Sequence, residues 1–109
     1  MGVDPREIAR LNDLFRQTFI GGKVMMTQGV ASLSEETRAK VFDAVRTFTP
    51  FTEDNDPYNE HDFGLFEVEG TLFFFKLDYY DNTLEYGSEN PADPTVTTRV
   101  LTIMLASEY

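Results

Sequence analysis

Apolar residues recur along the chain with two different periods, and the switch between them marks the elements. Ile8, Leu11, Leu14, Phe15 and Phe19 follow helical spacing and predict one buried stripe. Asp4 is a good N-cap, Pro5 suits the first helical position, and Glu7 sits where a capping box needs it. Gly21 and Gly22 end that helix. "KVMMTQGV", residues 23–30, predicts a short strand whose methionines are core filler rather than ligands. "SEETRAKVFDAVRTF" predicts a second helix capped by Ser34, with Val41, Phe42, Val45 and Phe48 on its buried face and Pro50 closing it.

Residues 49–62 read as loop, because Pro57 excludes a regular helix. "FGLFEVEGTLFFFKLDYYD" then alternates with period two, which predicts a β-hairpin turning at Glu69-Gly70. A two-residue turn sets Val68 against Thr71 and Phe66 against Phe73, and it brings His61 opposite Asp78. The aromatic-rich second strand, 71–80, is expected to be central. "NTLEYGSENPADP", 82–94, is loop. "TVTTRVLTIMLASEY" offers Val96, Val100, Ile103 and Met104 as a helical stripe behind an Asp93-Pro94 cap, with a strand as the alternative because so many residues are β-branched. The expected order is α-β-α-β-β-α. The expected fold class is α+β: a small antiparallel sheet of three strands with a central hairpin, packed with about three helices in a single domain, 1–109.

Charge changes this picture more than composition does. Residues 1–50 hold six acids and seven bases, whereas residues 51–93 hold twelve acids and one base, Lys76. Almost the whole net charge of −10 belongs to that middle segment. Such a segment repels nucleic acid and anionic membrane, and attracts a basic protein surface. No cysteine is present, so disulfides and thiolate metal sites are excluded. No signal peptide is visible and no apolar run could span a bilayer, so a soluble cytoplasmic protein is expected.

The one histidine lies in "NDPYNEHDFG", residues 55–64. His61, Asp62 and Asp78 could form a metal-dependent or acid–base hydrolase centre. One histidine is too few for a typical zinc site, and "DNDPYNEHD" lacks the glycine a calcium loop needs at its sixth position. No nucleophile elbow, phosphate loop or dinucleotide glycine pattern accompanies the histidine. The simpler reading is a polar staple: Asn55 or Asp56 builds a turn before Pro57, Glu60, His61 and Asp62 tie the loop down, and Gly64 admits a closely packed ring. Tyr79, Tyr80 and Tyr86 stand beside acids rather than bases, which argues against stacking on nucleic-acid bases. They pack in the core or at its edge, or else form an acidic–aromatic interface patch.

The blocks "LNDLFR", "GGKVMMTQGVASL", "NDPYNEHDFG", "KLDYYD", "NPADP" and "TRVLTIMLASEY" together resemble a bacterial family of domains of unknown function, number 3768. The resemblance covers nearly the whole chain. It implies a complete domain, and small proteobacterial proteins often carried on plasmids and integrative elements; it implies no activity. Taken with the charge, the expected role is a non-enzymatic acidic protein-interaction module with no cofactor and no metal. A concrete form is a nucleic-acid mimic inhibiting a host defence or DNA-handling protein. Asp54, Asp56, Glu60, Asp62, Asp78, Asp81, Glu85 and Glu89 are the expected partner-binding residues.

Overall fold

The computed structural model describes residues 4–109. Helix α1 spans Pro5–Thr18, strand β1 Gly22–Met26, a single-turn helix α2 Gln28–Ala31, and helix α3 Glu35–Thr47. Strands β2, β3 and β4 follow at Phe63–Val68, Thr71–Tyr80 and Thr98–Leu105, and a 3₁₀ turn closes the chain at Ala106–Glu108. The fold is α+β, as expected. Its sheet has four strands rather than three, in the order β1-β4-β3-β2.

The cap chemistry read from the sequence operates at both long helices. The Asp4 carboxylate accepts from the Arg6 amide, and the Ser34 hydroxyl accepts from the Thr37 amide. Glu7 pairs with Arg10 instead of completing a capping box. Helix α3 buries Val41 and Val45, and Phe48 beyond its end is buried with them. The hairpin has the expected register, with Val68 opposite Thr71 and Phe66 opposite Phe73, and β3 is central.

Four expectations are corrected. Residues 98–105 form a strand, not a helix. That strand lies between β1 and β3, parallel to one and antiparallel to the other. Leu101 and Ile103 are buried under the helices, and Val100 and Met104 on the other face are buried among their neighbours, so the period-two signal disappears into a continuous apolar run. The Asp93 carboxylate caps a turn at Thr95 rather than a helix. Strand β1 stops at Met26, because Gly29 approaches Leu105 and the Glu108 carboxylate takes the Gly29 amide and the Thr27 hydroxyl, closing the next turn into α2. Met25 and Met26 are not core filler; both are exposed.

All the helices lie on one face of the sheet. Phe73, Phe75, Leu77, Leu101 and Ile103 meet Phe15, Val30, Val41, Val45 and Phe48 there. Gly64 is part of that seal: a Cβ on it would overlap the Phe75 ring and crowd Phe48. Gly64→Ala is therefore expected to cost about 1–3 kcal/mol through overpacking. The resulting drop in melting temperature, followed by circular dichroism, checks it; an unchanged melt would show that the rings can move aside.

Candidate functional site

Antiparallel pairing of β2 with β3 and of β3 with β4 brings three chain ends to the same edge of the sheet: the entry to β2, the exit of β3 and the entry to β4. The loop of residues 49–62 and the loop of residues 81–97 therefore meet there. Between them they carry nine acids, Glu53, Asp54, Asp56, Glu60, Asp62, Asp81, Glu85, Glu89 and Asp93, with no lysine or arginine.

A buried polar hub anchors both loops. Helix α1 turns Asn12 fully inward, where its amide donates to the Glu60 carbonyl (3.0 Å) and the Tyr79 hydroxyl (2.8 Å). The Asn12 Oδ1 accepts from Arg99 Nε at 2.8 Å. Arg99, also buried, donates to the Pro91 carbonyl and lies over the Tyr79 ring. One asparagine and one arginine thus tie α1, β3, β4 and both acidic loops together. Burial raises the Tyr79 hydroxyl well above its usual range and pulls the Arg99 guanidinium below its own.

A second cluster fixes the first loop. Asp56 is buried, and its Oδ1 accepts from the backbone amides of Glu60 (3.0 Å) and His61 (3.1 Å). Asn59 and His61 adopt left-handed backbone, with φ of 58° and 56°, a conformation that this grip holds in place. The His61 ring stacks flat on Phe51, with centroids 4.0 Å apart. Its Nδ1 meets both Asp13 oxygens, at 2.9 and 3.0 Å, and its Nε2 lies 3.7 Å from Asp56. Asp13 in turn holds Arg16, the largest fully buried side chain, whose guanidinium reaches the Val45 and Arg46 carbonyls at the end of α3 and lies over the Phe51 and Phe75 rings.

The expected pairing of His61 with Asp78 does not form. The ladder reaches back only to the bond from the Leu77 amide to the Asp62 carbonyl, and the positive φ at His61 then swings the ring to α1. Asp78 pairs instead with Lys76 at 3.2 Å. Asp13 holds Nδ1 and the Asp56 carboxylate faces Nε2 beyond hydrogen-bond distance, so the ring clasps the loop to helix α1. Among the described residues, no group of three or more histidine, aspartate or glutamate side chains could hold a metal ion.

The remaining acids divide by what holds them. Asp81 is turned into its own loop, accepting from Thr83 and Glu85. Asp54, Glu85 and Glu89 project into solvent. Glu60 and Asp62 are partly buried beside other acids. Both carboxyls are raised, first by desolvation and then by repulsion, from Asp62 on Glu60 and from Asp56 and Asp78 on Asp62. Tyr58 and Tyr86, one on each loop, are both 72% exposed. Tyr79 belongs to the hub.

The raised Asp62 has a definite sign. Its folded-state pKa exceeds its unfolded one, so its favourable contribution is complete below the unfolded value and is lost as pH rises through the folded value. Asp62→Asn removes the buried charge and should raise the melting temperature at pH 7, with the gain shrinking towards pH ~4, the ordinary carboxylate range. Calorimetry at the two pH values measures it, and an equal or lower melting temperature at pH 7 would contradict it.

Asn12, Asp13 and Arg16 were not expected in the site. Their signal was present: Asn12 and Arg16 stand four and eight residues after Ile8, on the stripe that ends in Phe19, while Leu14 on the nominal apolar face is exposed.

This architecture defines a small α+β protein with a one-sided sheet, a clasped acidic end and no helix among the described residues long and apolar enough to cross a membrane. The chain belongs to the DUF3768 family, described as "Protein of unknown function", which matches residues 26–108. No curated protein and no solved structure matches it.

Proposed function

We propose that this chain is a non-enzymatic interaction protein whose acidic end docks on a basic protein surface. The observation that carries the reading is the convergence of two loops with nine acids and no lysine or arginine at one edge of the sheet, each loop presenting an exposed tyrosine. Carboxylates at the rim steer association, and Tyr58 and Tyr86 supply the aromatic area that anchors interfaces. Asp54, Glu85 and Glu89 contact the partner directly. Glu60, Asp62 and Asp78 add to the field, while Asp56 and Asp81 hold the loops in shape.

The raised carboxyls of Glu60 and Asp62 support the same reading, because a basic partner relieves repulsion that the free protein tolerates. With the mobile-element setting that the family resemblance implies, the concrete form is a nucleic-acid mimic. Its carboxylates stand in for phosphates in the groove of a host defence or DNA-handling protein. Duplex DNA should then displace the protein from its partner. A partner that stays bound in excess DNA would contradict the mimic form.

A further inference from the structure

Among the described residues, no α-helix covers the face of the sheet opposite the helical layer; Tyr109 packs on Phe74 at its margin and Leu84 of the 81–97 loop reaches it. Alternation places Lys23 and Met25 of β1, Val100 and Thr102 of β4, Phe74, Lys76, Asp78 and Tyr80 of β3, and Leu65 and Glu67 of β2 on that face. Val100 and Thr102 floor a groove walled by Lys23, Met25, Lys76, Asp78, Tyr80 and, from the 81–97 loop, Leu84. Met25, Leu65 and Leu72 are each about half exposed there. On a chain of net charge −10, this face is neutral, with Lys23 and Lys76 against Glu67 and Asp78.

The geometry points to a second copy of this chain as the occupant, stacked face to face about a two-fold axis that crosses the strands at Leu77. Three observations select that arrangement. First, Lys76 and Asp78 lie two residues apart on β3, symmetrically about Leu77, so the two-fold sets Asp78 of each copy over Lys76 of the other and Phe74 over Tyr80. A self-complementary pair of this kind is what an isologous interface requires. Second, an axis running along the strands would bring the two acidic ends together, whereas this one sends them to opposite poles. Third, four strands about 4.8 Å apart and the eight residues of β4 at about 3.3 Å each give a face of roughly 500 Å² in projection. That lies at the lower end of specific interfaces, so the dimer is reversible and concentration-dependent. Of the two acidic loops, only that of 81–97 reaches the groove, through Leu84, and the contact stands or falls apart from the proposed partner.

The test uses the full chain in sedimentation velocity over a concentration series, with circular dichroism melts as a control for folding. Wild type should shift from monomer to dimer as concentration rises. Lys76→Glu sets like charges against Asp78 of the other copy, and Asp78→Lys does the same with Lys76; each variant alone should dimerise at least tenfold more weakly. Mixed in equal amounts, the two single variants restore both opposite-charge pairs, so the mixture should dimerise again. Wild type that stays monomeric throughout, single variants that dimerise like wild type, or a mixture no more associated than its components would each overturn the proposal.

Discussion

Truncation after Arg99 should leave a chain that does not fold. The deleted residues include nearly all of β4, which lies between β1 and β3. Without it, β1 has no neighbour in the sheet and β3 loses the partner along most of its length. Val100, Leu101, Ile103 and Met104 leave the core, and Leu105 leaves its margin. At about 1.5–3 kcal/mol for each fully buried side chain, that loss consumes the ~5–15 kcal/mol a domain of this size has in hand. The truncation also removes Glu108, which closes α2 by accepting from the Gly29 amide and the Thr27 hydroxyl. The expected product shows no cooperative melt and poor amide dispersion by NMR. A sharp thermal transition in the truncated chain would mean that the other three strands hold together unaided.

Arg16→Ala is the most damaging single substitution expected in the cluster that fixes the first loop. Arg16 is only 2% exposed, with its guanidinium over Phe51 and Phe75 and its donors on the Val45 and Arg46 carbonyls and on Asp13. Alanine leaves a cavity the size of a long side chain, uncaps the end of α3 and takes one partner from Asp13. Large-to-alanine core changes cost about 2–5 kcal/mol, and this one should fall in the upper half of that range. Arg16→Met separates volume from charge. It fills most of the space, and the Nε of Arg16 has no partner to lose, so methionine should cost distinctly less than alanine. Denaturant melts of the two variants measure the difference. Equal losses would mean that the hydrogen bonds, not the packing, dominate at this site.

Local signals carried over from sequence to structure, and long-range ones did not. Asp4 and Ser34 cap their helices, and Glu69-Gly70 turns the hairpin in the expected register, because each depends on residues within a turn of one another. Gly64 does admit a closely packed ring. Strand β4 stood only as the alternative to a helix, because Val100 and Met104 are buried like Leu101 and Ile103 and erase the alternation that betrays a strand. Counting apolar residues placed Leu14 inside and left Asn12 and Arg16 out, although the helical stripe runs through the polar pair. Polar side chains can take core positions when every donor and acceptor finds a partner, as those of Asn12 do. The acidic segment was plain from composition. That its two loops share one end of the molecule follows only from strand order, and that Asp56 and Asp81 face inward only from the loop geometry.

The docking role of the acidic end meets its most direct test in a charge-reversed variant, Asp54→Lys with Glu85→Lys and Glu89→Lys. These three side chains are exposed, and the variant spares Asp81, whose reversal would open the loop it holds. Wild type and variant are used as bait in a lysate of the native host, at low and at moderate salt. Steered association between opposite charges weakens as salt shortens the Debye length from about 30 Å at 0.01 M to about 8 Å at 0.15 M. A partner retained by wild type at low salt, reduced at moderate salt and lost by the variant at both is the expected result. The same partner recovered equally in all four samples would contradict a docking role for the acidic end.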